Sequence, residues 1–92
     1  MNITVIIPTF NRAATLERAL QSVLDQTYPA QEIIVVDDAS VDNTAEILEK
    51  YSSKINIITN SINSGVSYSR NTGIQIARSE WIAFLEDRKS TR

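Results

Sequence analysis

Short β-branched runs alternate with stretches of helical character along this chain, and that alternation is its strongest structural constraint. Ile3 to Ile7 is nearly continuous in apolar residues and is ended by Pro8. Runs of this kind suit strands buried on both faces, as in parallel sheets. Leu16, Ala19, Leu20, Val23 and Leu24 then recur at helical spacing, with Asn11 ahead of them as a helix cap and Pro29 beyond as a stop. Ile33–Val36 is a second run, and Asp42 is placed to cap a second helix carrying Ala45, Ile47, Leu48 and Tyr51. Ile55–Ile58 is a third run, and "NSINSG" a loop turning at Gly65. A helix over 66–77 and a fourth strand over Trp81–Leu85 complete the series. The order β-α-β-α-β-α-β predicts an α/β fold, a three-layer sandwich with a mainly parallel sheet and right-handed crossovers.

Composition narrows the chemistry. With 92 residues the chain has room for one small domain, and its 42% hydrophobic content is that of a folded protein. It contains neither Cys nor His, so thiolate chemistry, disulfides and imidazole bases are excluded. Proton transfer or metal binding would fall to carboxylates, hydroxyls and the backbone. A net charge of −2 without a basic face argues against nucleic acid as a partner. No apolar run approaches the roughly 20 residues of a membrane span, and no signal-peptide pattern precedes the first strand. A cytoplasmic protein is expected.

In open α/β sheets, ligands bind outside the carboxyl ends of the strands. The first strand delivers Pro8, Thr9, Phe10 and Asn11 to that edge, the second Asp37 and Asp38, and the fourth Glu86 and Asp87. Strand ends are polar in many proteins, but several acidic groups converging on one edge favour a ligand site. Neither G-x-G-x-x-G nor G-x-x-x-x-G-K-[ST] occurs, which counts against dinucleotide oxidoreductases and P-loop enzymes. Phe10 could lie beneath a base or pack in the core. Arg70 could reach a diphosphate, pair with Asp37 or Asp38, or lie on the surface. Gly73 within the third helix marks close packing against a neighbour.

Taken together, "VIIPTFNR", "LQSVLDQTYP", "EIIVVDDASVDNT", "NSGVSYSRNTGI" and "EWIAFLE" resemble the family 2 glycosyltransferases, enzymes of the GT-A (nucleotide-diphospho-sugar transferase) fold. The resemblance covers residues 2 to about 86. It implies a nucleotide pocket lined by Pro8, Thr9, Phe10 and Asn11, with Asp37 and Asp38 on the base. It also implies a diphosphate side shaped by Asn63, Gly65, Arg70 and Asn71. It further implies transfer of a sugar from a nucleoside diphosphate donor to a saccharide or lipid-linked acceptor, commonly in surface polysaccharide synthesis at the inner face of the membrane. The family's D-x-D motif at the end of the fourth strand holds a divalent metal, Mn or Mg, that neutralises the leaving nucleoside diphosphate. Here Glu86 takes the place of its first Asp, and Arg88 and Lys89 stand where further acids are expected. Cations at those positions would repel a metal. Sugar nucleotidyltransferases share a related fold but carry a glycine-rich signature near the first strand, which "VIIPTFNR" lacks.

The last residues have a second reading. Asp87 to Arg92 is what a common sequencing adapter encodes when read as GAT CGG AAG AGC ACA CGT. The base preceding that frame would turn a final Asp codon into the codon for Glu86. On this reading residues 1–86 are the nucleotide-sugar-binding half of a glycosyltransferase domain, truncated after the fourth strand, and 87–92 are a non-native tail. Such a fragment would be inactive by itself. The alternative is a genuine divergent end, making the chain a non-catalytic nucleotide-binding module or pseudoenzyme.

Overall fold

Each apolar run forms a strand, and the four strands pair into one parallel sheet. A computed structural model describes residues 3–25 and 32–85. The elements are β1 (Ile3–Thr9), α1 (Ala13–Leu24), β2 (Glu32–Asp37), α2 (Thr44–Lys50), β3 (Asn56–Thr59), α3 (Val66–Ile76) and β4 (Trp81–Phe84). Pro29, Glu86 and the residues after Glu86 lie outside the described residues.

The strand order is β3-β2-β1-β4, and every pairing is parallel. The chain starts in the middle, steps outward twice on one side, then crosses to the other side of β1. With crossover handedness fixed, that reversal puts the third helix on the opposite face. The packing agrees. Val5, Ile7, Ile33 and Val35 meet Leu16, Leu20, Val23, Ile47 and Leu48 on the α1/α2 face. Ile6, Ile34 and Val36 form the core of the α3 face with Ile58 and Ala77. β1 and β2 are covered on both faces, which is why their sequences are nearly continuous apolar runs. Full burial of each such side chain stabilises the fold by roughly 1.5–3 kcal/mol.

Gly73 is buried where α3 crosses β1. A Cβ built on it would stand 2.6 Å from Cγ2 of Ile6, so only glycine permits this approach. β4 is the outer strand beyond β1, and Trp81 to Phe84 are all exposed.

Three local expectations are corrected. Pro8 does not end β1: the strand continues to Thr9, with Pro8 in register with Val36. Leu85 N donates to Ile6 O at 3.0 Å, so the backbone groups of Ile6, and of Pro8 two residues on, point towards β4. Among the described residues β4 pairs only as far as Phe84, opposite Ile6, so the absent N–H of Pro8 breaks no ladder bond there. Asn11 does not cap α1 either. The N-cap position is Arg12, which makes no side-chain cap bond. The first turn is served from the next loop, where Asp42 Oδ2 accepts from Ala13 N at 3.3 Å. The N-cap of α2 is likewise not the expected Asp42 but Asn43, which makes no side-chain cap bond; Asp42, one residue earlier, accepts from Thr44 N through Oδ1 at 3.0 Å, so one carboxylate serves the starts of both α1 and α2.

Candidate functional site

The carboxyl ends of β1, β2 and β3 lead into loops that hydrogen-bond to one another. Asp38 N donates to Thr9 O at 2.9 Å, and Asn60 N donates to Asp37 O at 2.8 Å, extending the sheet's bonding past the strand ends. The order reversal between β1 and β4 makes this edge a topological switch point, the usual place for a ligand crevice.

On the α1/α2 side the loops after β1 and β2 are joined through side chains. Asn11 has a φ of 51°, a left-handed conformation that Asn tolerates better than most residues. In that conformation Asn11 N donates to Ser40 Oγ at 2.8 Å, and its Oδ1 accepts from Val41 N at 2.7 Å. Asp37, buried at the end of β2, accepts from Ser40 N through Oδ1 at 3.0 Å. Burial alone would raise the Asp42 carboxyl, but hydrogen bonds from the Thr44 side chain and backbone and from Ala13 N hold it below the usual range. Phe10 is half-exposed beside a concavity of about 510 Å³ lined by Asn11, Ala13, Asp42 and Asn43. Its ring therefore faces this edge and is not a core residue.

On the α3 side, Asp38 organises the loop after β3. Only 4% of its surface is exposed. Its Oδ1 accepts from Asn60 Nδ2 and Ser64 N, and its Oδ2 from Gly65 N, each at 2.8 Å. Asn60 Nδ2 also reaches Ser69 Oγ at 3.2 Å, and Ser69 is fully buried. Asn63 Nδ2 lies 3.4 Å from the carbonyl oxygen of Asp38. Burial alone would raise the Asp38 carboxyl, but the bonds from Asn60, Ser64 and Gly65 hold it below the usual range. Gly65, the N-cap of α3, has φ 96° and ψ 161°, a region open in practice only to glycine.

The expected site residues thus fall into distinct settings. Thr9, Asp37 and Asp38 are buried at the strand ends, and Phe10 and Asn11 are exposed in the first loop. Asn63 and Gly65 sit in the loop held by Asp38. Pro8 is buried within the sheet. The Arg70 guanidinium carbon lies 5.7 Å from the Phe84 ring centroid, a cation–π distance that places the side chain beside β4. Asn71 is exposed on α3. Ser40, Asn60, Ser64 and Ser69 were not singled out from the sequence. For Ser40, Asn60 and Ser64 the signal was only the density of Ser, Thr, Asn and Asp in "DASVDNT" and "TNSINSG"; Ser69, within α3, carried none.

The described residues do not form a metal site. No group of three or more acidic, His or Cys side chains comes together among them. Asp38 already accepts three hydrogen bonds, and Glu86 lies outside the described residues.

Comparison with known proteins agrees with the sheet topology. The profile of Glycosyl transferase family 2 matches residues 4–87. Over 85 residues the chain is 39% identical to the Escherichia coli enzyme UDP-Glc:alpha-D-GlcNAc-diphosphoundecaprenol beta-1,3-glucosyltransferase WfgD, covering 91% of this chain and 34% of that protein. Over 89 residues it is 38% identical to the poly(ribitol-phosphate) beta-N-acetylglucosaminyltransferase TarP of Staphylococcus aureus, covering 91% of this chain and 27% of TarP. Among solved structures, the mannosyltransferase PcManGT of Pyrobaculum calidifontis, in complex with GDP-Man and Mn2+, superimposes with a TM-score of 0.86 at 27% identity. That match covers 94% of this chain and 27% of PcManGT. The chain spans about a third or less of the length of these curated relatives. With a GT-A type sheet and a family match over nearly its whole length, the chain belongs to glycosyl transferase family 2.

Proposed function

We propose that this chain is the N-terminal, nucleotide-binding part of a glycosyltransferase that moves a sugar from a nucleoside diphosphate donor to a saccharide or lipid-linked acceptor. The observation that carries this reading is the joining of three strand ends at the switch-point edge. There Thr9, Asp37 and Asp38 are buried at the strand ends, Asn63 lies against the Asp38 carbonyl oxygen, and Phe10 and Asn11 are exposed in the first loop and line its concavity. An aromatic face beside buried acceptors suits a base and ribose. Pro8 fixes the backbone leading into the first loop, and Gly65, Arg70 and Asn71 belong to the α3 side, assigned here to the diphosphate.

The relatives support a donor of this class. WfgD is named for UDP-Glc and a diphosphoundecaprenol-linked acceptor, TarP for poly(ribitol-phosphate), and PcManGT was solved with GDP-Man. Surface polysaccharide synthesis on the cytoplasmic side of the membrane is the setting we assign to the whole protein. No helix among the described residues is long and apolar enough to cross a membrane. PcManGT was solved with Mn2+, so a divalent metal, Mn or Mg, is part of the proposal for the whole enzyme, with position 86 as a ligand.

A second reading is a non-catalytic nucleotide-binding module. It is favoured by Arg88 and Lys89 in place of acids. Calorimetry with UDP and GDP, with and without Mn2+, separates the two. Binding that tightens with Mn2+ supports the transferase. Binding indifferent to Mn2+ supports the module, and no binding of either nucleotide overturns both.

A further inference from the structure

Of the residues assigned to the diphosphate, Arg70 alone carries a charge, and where that charge sits depends on a neighbouring strand. Gly73 lets α3 settle onto Ile6, with no side chain between them. Ile6 is paired with Phe84 in the parallel register of β1 and β4, so both side chains leave the sheet on the face that α3 covers. Arg70 precedes Gly73 by three residues, close to one helical turn and about 4.5 Å along the axis. α3 begins at the carboxyl edge, where Asp38 holds Gly65 N, so Arg70 stands nearer that edge than Gly73 does. The close approach at Gly73 thus brings Arg70 down beside Phe84, and the guanidinium carbon lies 5.7 Å from the ring centroid. Within about 6 Å the face of a ring attracts a cation. Arg70 is half-buried and Phe84 is partly exposed, so the contact sits at the rim of the sheet, on the β1–β4 side of the switch point.

Phe84 has no group that could bind a phosphate, so its ring can act only through what it holds. An arginine on a helix surface samples several rotamers, and a ligand that recruits it must freeze that freedom. A ring beside it restricts the freedom beforehand. The ring also attracts the cation without the neutralisation that a carboxylate brings. We propose that Phe84 is a positioning residue: its ring holds the Arg70 guanidinium between α3 and β4 near the carboxyl edge, so that Arg70 meets the diphosphate already in place. The part concerning the diphosphate rests on the nucleotide binding proposed above; the contact between Phe84 and Arg70 does not.

The test uses Phe84→Leu, which keeps an apolar side chain without a ring, Phe84→Tyr, which keeps the ring, and Arg70→Met, which removes the charge. In arginine-labelled protein at micromolar concentration, NMR should show side-chain methylene signals displaced by the ring current of Phe84. They should be absent in Arg70→Met, return to ordinary positions in Phe84→Leu and stay displaced in Phe84→Tyr. Calorimetry with UDP against UMP, and with GDP against GMP, isolates the second phosphate. Phe84→Leu should weaken binding of the diphosphate about two- to fivefold, the factor of an exposed cation–π contact, and leave the monophosphate unchanged. Phe84→Tyr should restore it. In the Arg70→Met background Phe84→Leu should have no further effect, a result that general loosening of the sheet edge would not give. If Phe84→Leu does not fold, Phe84→Met takes its place. Arginine signals unmoved by loss of the ring would overturn the contact. Equal losses for diphosphate and monophosphate, or a further loss in the Arg70→Met background, would overturn the positioning role. If the wild-type chain binds neither UDP nor GDP, the proposed function fails, and the NMR result still decides whether the ring holds Arg70.

Discussion

Replacing Gly73 by Ala pits two effects of known size against each other. Helix propensity favours alanine by about 1 kcal/mol in a helix interior. Packing opposes it. The new methyl carbon would stand 2.6 Å from Ile6 Cγ2, 3.0 Å from Cδ1 and 3.2 Å from Cγ1, against an ordinary carbon contact of about 3.5–4.0 Å. Ile6 is fully buried on the central strand, in register with Ile34 on one side and Phe84 on the other. Its Cγ2 sits on a β-branched carbon and moves only with χ1, which is stiff. Relief therefore requires α3 to lift off the sheet. Overpacking of this kind costs about 1–3 kcal/mol, and the short contact to a stiff atom places Gly73→Ala at the upper end. The net expectation is destabilisation by about 2 kcal/mol once the propensity gain is subtracted. Urea unfolding followed by far-ultraviolet circular dichroism should show the midpoint falling by about 1–2 M. In an Ile6→Ala background all three contacting atoms are gone, so the same substitution should become neutral or stabilising. A higher midpoint for Gly73→Ala alone, or equal destabilisation in both backgrounds, would refute the argument that Ile6 dictates glycine here.

Three further expectations follow from the site and the sheet edge. Asp38 and Asp42 both have carboxyls held below their ordinary range by hydrogen bonds that outweigh burial. Their contribution to stability is therefore fully present above the unfolded-state value of about 3.9 and is lost as the pH falls through the folded values. An Asp38→Asn variant should show a flatter stability profile below that pH than wild type; an unchanged profile contradicts the assignment. β4 presents an exposed apolar strand that includes Trp81, Ile82 and Phe84, so the 92-residue chain expressed alone should self-associate with rising concentration. Ile82→Lys should reduce that in sedimentation experiments, whereas a monodisperse wild-type monomer with cooperative unfolding would count against it. For Asp87 to Arg92, sequencing the locus across the junction should read Asp at position 86 and no adapter-derived codons. A genomic reading of Arg-Lys-Ser-Thr-Arg followed by a stop would show the tail to be genuine.

The elements that were legible in the sequence are those whose pattern is local. β1 and β2 announce themselves because strands covered on both faces have no polar alternation to preserve. α1 is visible through Leu16, Leu20 and Val23, which all prove buried. Gly73 was readable as a close approach, although not its partner, because Ile6 lies far away in sequence. What stayed hidden depends on where strands stop relative to each other. Pro8 looks like a strand end, yet it stays in register with β2, and no described residue of β4 is paired opposite it. Asn11 looks like a cap, yet a carboxylate from the next loop does that work. The candidate site followed the same division. Its location at the strand ends was readable, and the family assignment rests on those same motifs. The separate duties of Asp37 and Asp38 were not, because they are set by Ser40, Asn60, Ser64 and Gly65, residues whose turn chemistry names no partner.

Hydrogen exchange with and without saturating UDP or GDP, at micromolar protein to limit self-association, tests the central claim most directly. A nucleotide at the switch-point edge should protect amides in the segments 9–13, 37–41 and 60–65, leaving unchanged the polar concavity at the opposite edge lined by Glu32 and Ser52 to Asn56. Protection confined to that opposite edge, or none with either nucleotide, would contradict the account.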